Sequence, residues 1–153
     1  MNSLELRVPP LAVVLLAGLL MGLIAVATPP LALPPAVRWG GAAAGILLGI
    51  LAALAGVLTF RRARTTVNPL RPESASALVA NGIYRCTRNP MYLGMLLVLT
   101  GWAVYLARPW ALLVLPAFVV YMNRFQIGPD ERALEAIFGA EFDAYRNRVR
   151  RWL

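Results

Sequence analysis

The chain alternates long apolar runs with short polar interruptions, and the runs have membrane-crossing length. Residues 11–28 carry no charge and match the roughly 17–25 residues a helical crossing needs. Thr28 to Pro35 holds four prolines and predicts a tight, stiff turn. A second apolar run covers 39–60, with Gly41, Gly45 and Gly49 on one helix face, where another helix can approach closely. Arg61, Arg62 and Arg64 close it. The connection 65–89 is the longest polar one, with a weakly amphipathic turn over 74–80 that stops at Asn81-Gly82. Runs at 91–107 and 109–127, separated by Arg108-Pro109, predict a helical hairpin whose second helix Pro116 is placed to kink. From 129 to 153 the spacing becomes amphipathic, with Leu134, Ile137, Phe138, Phe142, Tyr145, Val149 and Trp152 on one side. Pro129 at a first helical position, followed by Asp130 and Glu131, predicts a fresh helix start, and Gly139 divides the segment into two helices.

The expected fold is therefore an all-α integral membrane protein. It has four transmembrane helices (about 11–28, 39–60, 91–107 and 109–127), a cytoplasmic loop over 61–90 and C-terminal cytoplasmic amphipathic helices over 129–153. By length, 1–153 reads as a single domain. Four crossings put both termini and the loop on one side with thirteen of the 15 arginines, all but Arg38 and Arg108. The positive-inside rule makes that side cytoplasmic, and a bacterial inner membrane is the expected location. A secretory leader ending at Ala25-Val26-Ala27 is the competing reading of the first run, disfavoured because Glu5 offsets Arg7 in its charged region.

Composition narrows the chemistry. With 59% hydrophobic residues the chain is no soluble globule. It has no histidine and one cysteine, Cys86, so a protein metal site is not expected and no internal disulfide can form. The net charge of +8 comes from arginines flanking the apolar runs, better explained by topology and anionic lipid than by nucleic acid.

Polar chemistry gathers between Gly82 and Gly94, where Arg85, Arg88, Asn89, Tyr84 and Tyr92 surround Pro90 at the start of the third apolar run. A helix start there exposes unpaired N–H groups toward the membrane surface. This run, Leu78 to Arg85 and then Arg88-Asn89-Pro90-Met91-Tyr92-Leu93-Gly94, is followed by the apolar hairpin. Then come Asp130-Glu131, Leu134, Phe138-Gly139, Glu141-Phe142, Tyr145 and Val149-Arg150-Arg151-Trp152. Together these blocks resemble the isoprenylcysteine carboxyl methyltransferase family, grouped with the membrane phospholipid methyltransferases. The likeness covers 65–153, and the first two spans match only in kind.

The resemblance implies methyl transfer from S-adenosylmethionine to a lipophilic, membrane-delivered acceptor at the cytoplasmic face. It places the cofactor among Tyr84, Arg88, Asn89, Pro90, Tyr92, Leu93, Gly94, Asp130 and Glu131, with Arg88 and Glu131 as the catalytic pair. Asn89 stands where eukaryotic members carry histidine, as in bacterial members, and Asp130 where glutamate is usual. The residue types suit such a ligand. Arginine can clamp a carboxylate, a carboxylate suits ammonium or ribose hydroxyls, and a tyrosine face suits a sulfonium. A carboxylate or thiolate acceptor needs no base, whereas an amine acceptor, as in phospholipid N-methylation, must first lose a proton. The rival class is a non-enzymatic small multi-helix transport or assembly protein, disfavoured because the apolar runs hold no ionisable residue at their centres. A relative without activity that only binds lipid is a third reading.

Overall fold

The computed structural model describes residues 8–63 and 78–153. Helix α1 (Pro10–Ala27) is followed by α2 (Pro35–Arg62) and a short 3-10 turn, Gly82–Arg85. Then comes α3 (Pro90–Leu106), and after it a helical rod that starts as a 3-10 turn, Pro109–Leu113. The rod continues as α4 (Val114–Met122), a π turn (Asn123–Ile127) and α5 (Gly128–Phe138). Helix α6 (Ala140–Arg148) ends the helical part, and there is no strand among the described residues. Pro10, Pro35, Pro90 and Pro109 each sit in the first turn of their helix, where a missing N–H costs nothing.

Three described helices, Pro10–Ala27, Pro35–Arg62 and the rod Pro109–Phe138, are long and apolar enough to cross a membrane. The fourth apolar helix, Pro90–Leu106, has 17 residues, near the lower limit. Leu15, Leu19, Leu23, Leu47, Leu51 and Leu54 are all more than half exposed, as lipid-facing side chains are, and the chain is an integral membrane protein.

The glycine face expected on the second run is where α2 and α3 meet. A Cβ at Gly45 would lie 2.8 Å from the Gly101 Cα, and one at Gly49 would collide with the Gly94 carbonyl. Small residues on both helices allow this contact, and neither position tolerates a side chain. A core of Met21 from α1, Tyr92, Leu99 and Ala103 from α3, and Val114, Phe118, Met122 and Ile127 from the rod holds the other helices together. The α3–rod hairpin turns at Ala107, in a left-handed conformation at φ 52°.

Two expectations need correction. Pro129 does stand in the first turn of α5 with Asp130 and Glu131, but no break precedes it, because the rod runs on into α5. The Gly128 N–H reaches back five residues to the Asn123 carbonyl, and this widened turn takes in a proline ring that would strike the carbonyl four residues back in an α-helix. Pro116 stands in the first turn of α4, just past the 3-10 segment. The C-terminal helices do not reach 153: α6 stops at Arg148 and Val149 is extended, at φ −123° and ψ 131°. Gly139, at φ 49°, does separate two helices. Of the turn expected over 74–80 and the loop 61–90, residues 64–77 lie outside the described residues; of the loop's described part, α2 takes 61–62 and the 3-10 turn takes 82–85.

Candidate active site

The apolar part of the rod ends at Ile127, and α5 beyond it carries Asp130, Glu131, Arg132 and Glu135, so this part lies outside the apolar slab. Here a second core forms from Val79, Tyr84, Phe142 and Tyr145, with Phe60, Leu134 and Phe138 against it. It docks the C-terminal helices onto the Gly82–Arg85 turn. The Tyr145 hydroxyl donates to the Tyr84 carbonyl at 2.8 Å, and Phe60 meets Tyr84 edge-on at 5.1 Å. Burial pushes the Tyr84 phenol above its ordinary pKa, with Tyr145 adding to the shift. Burial also lifts Tyr145, to about 12, against the opposing charge of Arg88. Both phenols are neutral hydrogen-bonding groups at physiological pH.

Between this core and the start of α3 lies a cavity of about 70 Å³, lined by Phe60, Leu78, Val79, Tyr84, Arg88, Asn89, Asp130, Glu131, Leu134, Phe142 and Tyr145. Two carboxylates face it in different states. The Tyr92 hydroxyl donates to Asp130 Oδ2 at 3.0 Å, while Asp130 Oδ1 is buried without a partner. Burial raises the Asp130 pKa to about 7. The Tyr92 hydrogen bond opposes that rise, and the neighbouring Glu131 charge adds to it. Glu131, in contrast, is saturated. Its Oε1 accepts from Arg88 Nη2 at 2.7 Å and from Arg151 Nε at 3.2 Å, and its Oε2 accepts from Arg151 Nη2 at 2.5 Å. Burial alone would raise its pKa, but hydrogen bonds from Arg151 and Arg88, with their charges, hold it below the usual carboxylate range.

The extended segment after α6 is bound as a strap to residues of this wall and their neighbours. The Arg88 N–H donates to the Arg150 carbonyl at 3.0 Å, and Arg88 Nη1 donates to the carbonyls of Arg146 (3.0 Å) and Val149 (2.5 Å). Thr87 Oγ1 and Asn89 Nδ2 both donate to the Arg151 carbonyl, and Trp152 Nε1 donates to Asn123 Oδ1 in the π turn at 3.1 Å. Arg88 thus uses its guanidinium on Glu131 and on one carbonyl each of α6 and the strap.

Of the residues expected at a cofactor site, Tyr84, Arg88, Asn89, Asp130 and Glu131 line one cavity, and Tyr92 reaches it through Asp130. Pro90, Leu93 and Gly94 are buried in α3 away from the lining, and Gly94 faces α2, where a Cβ would also lie 2.9 Å from the Ala53 N. Arg146, whose role the sequence leaves open, pairs at the surface with Asp143 at 2.7 Å and Glu135 at 3.4 Å. Arg151, Thr87 and Asn123 are not among the expected site residues, yet all three hold the site together. The visible signal for Arg151 was slight: Val149 to Trp152 follow the helix, so helical spacing says nothing of where they point. Among the described residues no cluster of His, Cys, Asp and Glu is placed to hold a metal ion.

A helical membrane bundle whose polar motif is capped by amphipathic C-terminal helices defines the class to which comparisons then give a family. The sequence profile of phospholipid methyltransferases matches residues 37–141, and the chain belongs to that family. Over 107 residues (68% of the chain) it is 32% identical to protein-S-isoprenylcysteine O-methyltransferase B of Arabidopsis thaliana, of which it covers 53%. Over the same length it is 30% identical to a probable protein-S-isoprenylcysteine O-methyltransferase of Oryza sativa subsp. indica, of which it covers 54%. The chain spans about half the length of these plant relatives. An uncharacterised protein of Haemophilus influenzae is 43% identical over 63 residues, which are 41% of this chain and the whole of that protein. No solved structure matches the chain significantly.

Proposed function

We propose that the chain is an S-adenosylmethionine-dependent methyltransferase, one membrane domain with four crossings and both termini cytoplasmic. In this reading it moves a methyl group to a lipophilic acceptor, an isoprenylcysteine-like carboxylate or thiolate, at the cytoplasmic face of a bacterial inner membrane. The observation that carries this reading is Asp130. A carboxylate with one oxygen held by Tyr92 and the other buried and unpartnered, in a cavity walled by Phe60, Tyr84 and Phe142, is a receptor for a cationic group. Isoprenylcysteine O-methyltransferases among its relatives support the same reading.

The residues fit the proposed cofactor in kind, since it combines a sulfonium and an ammonium with an adenine and a ribose. When bound, it supplies a methyl group on positively charged sulfur. The chain's part is to bind, orient and exclude water. Asp130 Oδ1 would take a cationic group, the aromatic walls would take flat or cationic parts, and Asn89 and Tyr84 would position what lies against the start of α3. Arg88 and Glu131 fix the geometry of the cavity wall. At about 70 Å³ the cavity is well below the roughly 300–1,000 Å³ of typical ligand sites, so admission of such a ligand requires it to widen, which release of the 149–152 strap from the Arg88–Glu131 wall would allow. Arg151 is the most exposed member of the cluster, at 38%, and so the place where the strap comes away first. A carboxylate or thiolate acceptor needs no base, and this chain has no histidine to serve as one.

One observation favours a second acceptor class. Asp130, with a pKa of about 7, is suited to receive a proton near neutral pH, as methylation of a phospholipid amine would require. Calorimetric titration of S-adenosylmethionine and its demethylated product into detergent-purified protein tests the common part of both readings. Saturable binding that is lost in Asp130→Asn, with the variant still folded, is expected. No binding by the wild type, in detergent and in lipid nanodiscs alike, overturns the proposal.

A further inference from the structure

At the end of the bundle away from the cavity, two arginines sit without a counter-charge among the described residues. Arg108, in the α3–rod turn, has its Nε and Nη1 buried with no hydrogen-bond partner. Arg38, in the first turns of α2, donates from Nε to the Tyr105 carbonyl at 2.6 Å and lies over the Tyr105 ring at 5.0 Å. The two are tied into one structure. The carbonyl that Arg38 grips lies three residues before Arg108, and the Leu31 N–H donates to the Ala107 carbonyl at 2.8 Å. Trp39 and Trp102 pack on Tyr105 with ring centres 5.0 and 5.4 Å away, and Trp39 and Trp110 are more than half exposed. Such a cluster of indoles and phenols is what a membrane–water boundary attracts.

No carboxylate of the described chain can answer these charges. Every described Asp and Glu lies in α5 or α6. Asp130 is the first of them along the rod from Arg108, and at about 1.5 Å per residue it is roughly 30 Å away. A guanidinium with two buried, unpaired nitrogens is unfavourable unless an acceptor reaches it. At headgroup depth the abundant anion of matching shape is a phosphate, which guanidinium binds through paired donors.

We infer that Arg108 and Arg38 form a binding site for the phosphate of a phospholipid headgroup, at the bundle end opposite the cavity. Arg108 supplies the buried donors, Arg38 the second positive charge, and the Trp39–Tyr105–Trp102 stack the wall. This site is independent of the proposed methyl transfer.

The test compares full-length wild type with Arg108→Gln and Arg38→Gln in a maltoside detergent, which carries no phosphate. Thermal unfolding is read with and without added phosphatidylglycerol, and retained lipid per chain is counted by native mass spectrometry. In maltoside alone Arg108→Gln is expected to unfold at or above the wild-type temperature, because an unpaired charge has been removed. With lipid the order reverses, and lipid retention falls about 10–100-fold in Arg108→Gln, and by less in Arg38→Gln. Equal lipid stabilisation of wild type and Arg108→Gln overturns the site. So does an Arg108→Gln chain that fails to fold in maltoside alone, since its guanidinium would then be satisfied within the protein. Full stabilisation by sodium phosphate, against sodium chloride of the same ionic strength, would assign the site to a soluble anion and overturn the lipid.

Discussion

Replacing Glu131 with Gln tests how the two arginines around it divide their work. Glu131 and Arg88 are 13% and 10% exposed and meet at 2.7 Å, whereas Arg151 on the other side of the carboxylate is 38% exposed. Removing one partner of a fully buried ion pair costs about 3–5 kcal/mol. Arg88 keeps its Nη1 bonds to the Arg146 and Val149 carbonyls, so its loss is partly cushioned, and about 2–3 kcal/mol is the fitting range for this contact. Solvent screening reduces the Arg151 contact to about 0.5–1 kcal/mol. Double-mutant cycles of Glu131→Gln with Arg88→Gln and with Arg151→Gln should therefore give a Glu131–Arg88 coupling at least about twice the Glu131–Arg151 coupling. Thermal unfolding in detergent, followed by fluorescence of the four tryptophans, reads both, and Glu131→Gln alone should lower the midpoint by roughly 5–10 °C. Equal couplings would refute the reasoning, as would a Glu131→Gln protein within about 0.5 kcal/mol of wild type.

Asp130, with its pKa raised to about 7, makes the folded protein hold a proton that the unfolded chain releases near pH 4. Stability should therefore fall as pH rises from about 4 to 7 and be flat above, and unfolding midpoints of Asp130→Asn across this range should lack that component. Ionisation of the same carboxyl above pH 7 should favour a cationic ligand. The affinity ratio of S-adenosylmethionine to its uncharged-sulfur product should rise between pH 6 and 8 in calorimetry and stay level in Asp130→Asn. Gly49→Ala places a methyl against the Gly94 carbonyl and should destabilise the chain by about 1–3 kcal/mol, read by the same unfolding assay. Arg151→Ala should loosen the strap, speeding ligand association in stopped-flow fluorescence while lowering stability by no more than about 1 kcal/mol.

Apolar periodicity and prolines made the helices legible. Pro10, Pro35, Pro90 and Pro109 each stand at a helix start, and Gly41, Gly45 and Gly49 mark the face that meets α3. Pro129 stands at the start of α5 without a break before it, for a physical reason. The same residue that opens a helix can be absorbed within one when a π turn precedes it, and that turn depends on packing around Asn123–Ile127 rather than on a local signal. At the site, motif spacing brought Tyr84, Arg88, Asn89, Asp130 and Glu131 to one cavity. The division of labour between the two carboxylates was not legible. Asp130 and Glu131 are adjacent in sequence, yet one is left with a bare oxygen and the other is enclosed by arginines, because the strap reaches only Glu131. Tertiary placement of an extended segment leaves no periodic trace.

The π turn also makes the candidate site sensitive to chain length. Its extra residue shifts everything after Ile127 by about one residue's rotation, about 100° around the helix axis. Deleting a single residue between Asn123 and Ile127 would change no side chain in α5. It would still swing Asp130 away from Tyr92 and Glu131 away from Arg88, and would bring the Pro129 ring against a carbonyl four residues back. In this rod a one-residue deletion would act as a substitution of two carboxylates at once.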